Sequence, residues 1–124
     1  LSEARKIAVL TGAGISAESG VATFRDPNGL WAKFRPEELA SMDGFLKNPT
    51  LVWEWYQARR EVIDRVKPNP GHTTLAAMQS WYEERGGVFT LITQNVDRLH
   101  QQAGSRNVLE LHGNIIENYC SRCK

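Results

Sequence analysis

Two short apolar runs, separated by a largely helical section, dominate the hydrophobic pattern of this chain. Residues 6–11 (KIAVLT) and 88–93 (VFTLIT) are almost uniformly apolar, as are strands that are buried on both faces of a parallel sheet. A third strand is expected over residues 108–112 and a fourth over residues 115–119. Strands that alternate with helical segments predict an α/β fold with a parallel sheet.

Helical spacing is the main pattern between the two runs. A helix is expected to begin at Pro36, where proline and two acidic residues form the first turn. A longer helix follows Pro49 and ends at residues 67–70 (KPNP), and the next runs from near Pro70 to the glycine pair at residues 86–87. The positions that recur at helical spacing in these two helices are Val52, Trp55, Tyr56, Arg59, Val62, Ile63, Val66, Leu75, Met78, Trp81 and Tyr82.

A glycine turn follows the first predicted strand. Residues 12–17 (GAGISA) match the pattern G-x-G-x-x-G/A, and a helix is expected to start within residues 15–19. Such a turn lets the backbone approach a pyrophosphate closely, while the helix start offers free N–H groups to the anion. A glycine-rich turn without a ligand is the alternative interpretation.

The residues after the glycine turn argue against an ordinary dehydrogenase. A Rossmann unit reaches its second strand and its ribose-binding acid about 20 residues after the glycines. Here the second apolar run begins only at residue 88. Residues 20–35 have no sustained period and predict a long loop, which is typical of functional or mobile segments.

Polar side chains come directly after the second predicted strand. Gln94, Asn95 and Asp97 lie where open α/β sheets bind their ligands, at the carboxyl ends of the strands. Two amides and a carboxylate suit the recognition of ribose hydroxyls or of a carboxamide. In the alternative interpretation, Asn95 only caps a short helix that ends at Gly104, and Asp97 only complements the helix dipole.

Histidines and cysteines provide further candidates. His112 closes the third predicted strand and is a candidate general base, although a lone histidine is more often structural. His72 and His100 are expected to be structural by the same reasoning. Cys120 and Cys123 form a C-x-x-C pair, which is half of a four-cysteine zinc site or, alternatively, a redox pair.

Composition excludes several classes of protein. The chain has 124 residues and a net charge of +1, which indicate one domain and no strong field for a nucleic-acid or membrane partner. No apolar run approaches the roughly 20 residues that a membrane span requires. Two cysteines cannot form the framework of a secreted mini-protein.

Five motifs together resemble those of the sirtuin family of NAD-dependent protein lysine deacylases. In the family's order and spacing they are GAGISAESG (residues 12–20), TFR (23–25), TQNVDRLH (93–100), LHG (111–113) and CSRC (120–123). The resemblance implies an incomplete Rossmann-like, NAD-binding parallel sheet with an inserted helical module and the start of a zinc-ribbon small domain. The implied segments are residues 1–35 (first strand, glycine loop and cofactor loop), 36–87 (mainly helical, with the small-domain module), 88–114 (further strands) and 115–124 (start of the zinc module).

The resemblance also assigns roles to residues. It implies an NAD pocket formed by Gly12, Ala13, Gly14, Ile15, Glu18, Thr23, Phe24, Arg25, Trp31, Gln94, Asn95 and Asp97. His112 would be the general base, and Cys120 and Cys123 would supply two of the four ligands of a structural zinc ion.

The implied reaction moves no hydride. The amide oxygen of an acyl-lysine attacks the anomeric carbon of the nicotinamide ribose of NAD and expels nicotinamide. His112 then helps to deprotonate a ribose hydroxyl, which attacks the imidate intermediate, and water releases free lysine and O-acyl-ADP-ribose. A pocket that excludes bulk water would limit hydrolysis of NAD, and the exclusion of water is the use expected for the long loop.

Two residues indicate the acyl group. Tyr56 and Arg59, at positions i and i+3 of the predicted helix, form the Tyr-x-x-Arg pattern of sirtuins that prefer succinyl and malonyl groups. Arginine binds a carboxylate through two parallel hydrogen bonds, and the tyrosine hydroxyl can add one more. Alternatively, Tyr56 belongs to the core and Arg59 is a solvated charge. Arg60 is expected to point elsewhere.

The expected partners are therefore acyl-lysine proteins or peptides that lose succinyl, malonyl or acetyl groups, with no nucleic acid and no membrane involved. The style of the opening motif indicates a bacterial, cytoplasmic protein. Because the chain lacks an initial methionine and stops after Lys124, both ends are expected to be cut, and the isolated chain is expected to be inactive and poorly stable. A non-catalytic nucleotide-binding fragment and a protein ADP-ribosyltransferase that uses the same NAD site are the alternatives.

Overall fold

The computed structural model of this chain describes residues 3–21 and 36–123. Its elements, in chain order, are β1 (Lys6–Thr11), α1 (Ala13–Ala17), α2 (Pro36–Leu39), α3 (Met42–Lys47), α4 (Pro49–Arg65), α5 (Pro70–Glu83), β2 (Val88–Thr93), α6 (Leu99–Gln102) and β3 (Leu109–Glu110). Four residues expected to contact NAD lie outside the described residues, namely Thr23, Phe24, Arg25 and Trp31. No helix in the described part of the chain is long and apolar enough to cross a membrane.

The three strands form one parallel sheet in the order β1-β2-β3, which confirms the predicted α/β class. β1 and β2 span the two predicted apolar runs and pair along their whole length. At their ends Thr11 lies opposite Thr93, and Thr93 lies opposite Glu110. The carboxyl ends of all three strands therefore meet at one edge of the sheet.

One face of the sheet packs against α5. Phe89 and Leu91 of β2 are buried together with Tyr82 of α5, and apolar side chains of β1 pack around them. The expected burial on both faces is wrong for the other face, where Leu10 and Val88 are 61% and 50% exposed. Successive side chains of a strand point to opposite faces, so a single covering helix buries only alternate positions.

A second apolar cluster lies in the helical segment that precedes α5. Leu39, Val52 and Trp55 form its buried centre, and Tyr56 packs against them. α4 begins where the Asn48 side chain accepts a hydrogen bond from the backbone N–H of Leu51, and Pro49 occupies the first turn. The two members of each adjacent apolar pair differ in burial. Ile63 and Tyr82 are buried, whereas their neighbours Val62 and Trp81 are exposed.

The region after β2 differs most from its prediction. α6 begins at Leu99, after Arg98 adopts a left-handed backbone conformation (φ 59°). β3 is limited to two residues instead of residues 108–112.

Residues 115–119 are not a strand. The Asn114 side chain accepts hydrogen bonds from the backbone N–H groups of Ile116 and Glu117, at 3.1 and 2.8 Å. This local side-chain interaction closes a turn and competes with extension of the backbone.

Candidate active site

A cleft of about 180 Å³ opens at the edge where the three strands end. Of the site residues predicted from the sequence, it brings together Ala13, Arg59, Gln94, Asn95, Asp97 and His112. They come from the segments after β1, β2 and β3 and from α4, which forms the opposite wall. A parallel sheet thus joins residues that are far apart in the sequence, as expected for the carboxyl ends of its strands.

Asp97 is buried, and its carboxylate is held from two sides. Ser16 Oγ donates a hydrogen bond to its Oδ2 at 2.6 Å, and the backbone N–H of Leu99 donates one to its Oδ1 at 3.0 Å. The Asn95 amide donates to Ser16 Oγ at 3.1 Å and to the carbonyl oxygen of Gly12 at 3.0 Å. These bonds tie the segment after β2 to the glycine turn, so the interpretation of Asn95 as only a helix cap is wrong.

His72 lies next to Ser16 at the start of α5 and is fully buried. Its Nδ1 accepts a hydrogen bond from the backbone N–H of Asn69 at 3.2 Å, as part of a capping box. The neutral ring therefore carries its proton on Nε2, 3.4 Å from Ser16 Oγ. Burial lowers the pKa of His72 and outweighs the opposing effect of the nearby Asp97 carboxylate.

His100 of α6 lies beside His72, with ring centroids 4.9 Å apart. Its Nε2 is 2.8 Å from Thr11 Oγ1 at the end of β1, and Thr11 donates in turn to Thr93 Oγ1 at 2.9 Å. Burial lowers the pKa of His100 to about 4, with a further contribution from His72. His72 and His100 are structural in the sense expected, since neither lines the cleft, but both lie in the buried polar layer beneath it.

His112 is exposed at the mouth of the cleft. Its Nδ1 lies 3.0 Å from the backbone carbonyl oxygen of Gln94. A carbonyl oxygen can only accept, so Nδ1 carries the proton and Nε2 of the neutral ring keeps a free lone pair. This tautomer is the one that a general base requires.

The structure divides the predicted Tyr56–Arg59 pair between two cavities. Arg59 lines the cleft, stacked over the Trp55 ring with its guanidinium carbon 4.7 Å from the ring centroid. Tyr56 lines a neighbouring cavity of about 230 Å³ together with Arg60, which donates to the carbonyl oxygen of Ile115 at 3.2 Å. Arg59 is half-buried and therefore only partly solvated, and this burial lowers the pKa of its guanidinium.

The glycine motif borders the cleft through Ala13 and Ser16. α1 is a five-residue helix with Gly12 at its N-cap, and a Cβ placed on Gly12 would lie 3.8 Å from Gln94 Nε2. Four residues expected to contact NAD, namely Gly12, Gly14, Ile15 and Glu18, are not among the lining residues. A side chain on Gly12 would occupy the space between the turn and Gln94.

Cys120 and Cys123 are exposed and not joined in a disulfide. The backbone N–H of Arg122, 3.4 Å from Cys120 Sγ, lowers the pKa of that thiol, with Cys123 acting in the same direction. Thiolate is the form that binds a metal ion. Within residues 3–21 and 36–123, however, no cluster of three or more potential metal ligands occurs. A structural zinc site would require two further ligands beside these thiols.

Sequence reasoning missed four lining residues, namely Ser16, Val21, Ile63 and Val96. Ser16 lies inside the glycine motif, and its hydroxyl could have identified it as a candidate site residue. Val21, Ile63 and Val96 carried no chemical signal, because an apolar side chain in a cleft cannot be distinguished from one in the core without the tertiary structure.

Comparison with known proteins gives consistent similarities. A sequence profile described as the Sir2 family matches residues 12–124. An "NAD-dependent protein deacylase" of Aquifex aeolicus is 57% identical over 117 residues, which are 94% of this chain and 47% of that protein. The chain spans about half the length of the curated relatives it matches.

Solved structures are similar as well. A Sir2 homolog–NAD complex matches with a TM-score of 0.80 and 50% identity over 91% of this chain and 43% of that one. A Sir2 mutant bound to a p53 peptide and NAD matches with a TM-score of 0.78 and 40% identity over 99% of this chain and 46% of that one.

Proposed function

The chain belongs to the Sir2 family, and from this premise we propose that the protein containing it removes acyl groups from protein lysines with NAD as co-substrate. The observation that carries the proposal is the convergence of Asn95, Asp97 and His112 on one cleft at the carboxyl edge of the sheet. The products would be nicotinamide, free lysine and O-acyl-ADP-ribose.

The general base in this proposal is His112. The bond from its Nδ1–H to the Gln94 carbonyl holds the ring at the cleft mouth and leaves Nε2 free to accept a proton. A ribose hydroxyl that enters the cleft would lose its proton to Nε2. The same hydrogen bond stabilises the imidazolium that results, because its donor becomes more acidic.

The residues present fit the nicotinamide-ribose end of NAD. Asn95 and Gln94 offer amides, and Asp97 offers a carboxylate that Ser16 and a backbone N–H hold in one orientation. A cleft of about 180 Å³ is smaller than the roughly 300–1,000 Å³ of pockets that enclose a drug-sized ligand. It would therefore hold part of a dinucleotide, with the pyrophosphate against Gly12, Ala13 and Gly14.

The acyl groups that the protein is proposed to remove include acidic ones. Arg59 presents a partly desolvated guanidinium to the cleft opposite His112, and such a group binds a carboxylate more strongly than a solvated one does. Tyr56 is close enough to Arg59 to affect its pKa, although it lines the other cavity. Succinyl- and malonyl-lysine are therefore proposed as substrates beside acetyl-lysine, in proteins or peptides.

The proposal also includes a metal ion and a location. Cys120 and Cys123 would hold a structural zinc ion together with two ligands from another part of the protein. The proposed location of the protein is the cytoplasm. The same proposal assigns Ile15, Glu18, Thr23, Phe24, Arg25 and Trp31 to the NAD site.

The decisive experiment measures nicotinamide release by the full-length protein that carries this sequence. Its substrates are NAD and a peptide with acetyl- or succinyl-lysine, and the controls omit NAD or use the unacylated peptide. We expect release that depends on both substrates, with deacylated peptide formed in equal amount. Release of nicotinamide without an acylated peptide, or transfer of labelled ADP-ribose to protein, would overturn the proposal.

A further inference from the structure

His100 occupies a position that the proposed chemistry does not use. Its side chain is 1% exposed and is not among the residues that line the cleft. Through Nε2 it bonds Thr11 at the end of β1, and Thr11 bonds Thr93 at the end of β2. Thr93 Oγ1 also accepts a hydrogen bond from the backbone N–H of Asn95 at 3.0 Å. A continuous chain of hydrogen bonds therefore runs from α6 across two strand ends to the cleft wall.

The direction of these bonds determines the tautomer of His100. The Thr11 hydroxyl donates its only proton to Thr93, so it can only accept from His100. Nε2 of His100 therefore carries the proton. Its Nδ1 is buried and has no partner in the described part of the chain, which a lone pair tolerates better than an N–H group would.

The surroundings of His100 admit only the neutral ring. Protonation would place a second N–H at Nδ1, where residues 3–21 and 36–123 provide no acceptor. The titratable groups that face the ring are His72 on α5, with ring centroids 4.9 Å apart, and Asp97 in the segment before α6. Asp97 already accepts two hydrogen bonds from other groups.

We propose that His100 is a positioning residue, whose neutral ring holds the Thr11–Thr93 pair and thereby sets the separation between the glycine turn and the Gln94–Asp97 wall of the cleft. The backbone of Gln94 donates to the Thr11 carbonyl oxygen at 3.0 Å, so a displacement of Thr11 would move that wall directly. The consequence for activity rests on the proposed function. The hydrogen-bond chain itself is independent of it.

The test compares variants of the full-length protein. His100→Leu removes the donor, His100→Gln supplies a neutral amide N–H of similar reach, and Thr11→Val removes the hydroxyl while keeping the shape. Ser105→Ala is the matched control, because Ser105 is buried next to α6 and its hydroxyl has no partner among the described residues. The measurements are kcat and KM for NAD and the affinity for ADP-ribose.

We expect His100→Leu to raise KM for NAD about tenfold, the equivalent of one lost positioning hydrogen bond, with a smaller change in kcat. His100→Gln should restore KM to within about threefold, and Ser105→Ala should leave it unchanged. The double variant His100→Leu/Thr11→Val should lose no more than the larger single loss, because both act through the same bond. Additive losses, or equal effects of His100→Leu, His100→Gln and Ser105→Ala, would overturn the proposal.

A second measurement separates this proposal from the proposed function. Nitrogen-15 NMR of the histidine rings reports which nitrogen of His100 is protonated, whether or not the protein turns over NAD. In the wild type we expect the Nε2–H tautomer. In Thr11→Val we expect that this single tautomer is replaced by a mixture. A wild-type protein without deacylase activity that shows this tautomer would contradict only the proposed function. A His100 that is protonated on Nδ1 would contradict the positioning role.

Discussion

Ser16 and Asp97 are joined by a 2.6 Å hydrogen bond from the serine hydroxyl to a carboxylate oxygen that is buried beside the cleft. Ser16 also accepts from the Asn95 amide and faces Nε2 of His72, so its hydroxyl uses its donor and both acceptor positions. The glycine turn and the segment after β2 are therefore held together by side chains as well as by the sheet.

Replacing Ser16 by alanine tests this link. Asp97 Oδ2 and the Asn95 amide would each lose a partner in a buried environment, so we expect the free energy of unfolding to fall by about 1–3 kcal/mol. Urea unfolding of the full-length protein measures the change. Thr74→Ala, at an exposed position of α5, is the control and should stay within about 0.5 kcal/mol of the wild type. An equally small effect of Ser16→Ala would contradict the link.

His112→Asn isolates the role of the base. The asparagine amide can take the place of Nδ1 and donate to the Gln94 carbonyl, but it has no nitrogen that accepts a proton at the position of Nε2. We expect kcat for deacylation to fall by about 10²–10⁴-fold with the affinity for NAD changed less than about threefold. Steady-state kinetics and calorimetric titration with NAD measure the two quantities. Retention of most of kcat would rule out His112 as the base.

The choice of acyl group is tested by comparing two adjacent arginines. Arg59→Met should lower kcat/KM for a succinyl-lysine peptide by roughly 10- to 100-fold more than for an acetyl-lysine peptide, since only the succinyl group loses a charged partner. Arg60→Met removes the neighbouring guanidinium, which lines the other cavity, and should leave the ratio unchanged. Equal loss of both activities in Arg59→Met would contradict the proposed role.

Stability should depend on pH through His100. Its pKa is about 4 in the folded protein and about 6.5 when solvated, so between these values the unfolded chain binds more protons than the folded one. Stability from this group is therefore complete above about pH 6.5 and falls as the pH drops toward 4, by at most about 1.4 kcal/mol per pH unit. His72, whose pKa is also lowered, acts in the same direction.

The check on this pH dependence is urea unfolding at about pH 7 and about pH 5. The loss of stability on acidification should be smaller in His100→Gln than in the wild type, because the amide does not titrate. A loss of stability that is the same at both pH values does not affect this comparison, because each protein is compared with itself. Identical pH dependence in both proteins would show that folding does not lower the pKa of His100.

Zinc binding by the full-length protein is tested by Cys120→Ser. We expect about one zinc ion per wild-type chain and loss of most of it in the variant, since a structural site uses all four ligands. Metal analysis after dialysis measures the stoichiometry. Ser121→Ala, between the two cysteines, is the control and should retain the metal. Full zinc content in Cys120→Ser would contradict the assignment.

Local patterns determined much of the fold. β1 and β2 have the predicted bounds because a continuous apolar run favours a strand in a sheet core. α4 and α5 begin at Pro49 and Pro70 because an asparagine at the N-cap and a proline in the first turn both favour the start of a helix. Residues 115–119 were predicted wrongly because one side chain, Asn114, turns the backbone through bonds that periodicity does not report.

By itself, the sequence determined which chemical groups are available: the glycine turn, the residues after β2, His112 and the C-x-x-C pair. Only the tertiary structure decided that Tyr56 and Arg59 line different cavities, because α4 lies between the two cavities and contributes residues to each. It also decided that His100 meets Thr11 and Thr93, since such contacts depend on the pairing of β1 with β2. Periodicity reports the face of one element, whereas a site depends on how several elements pack.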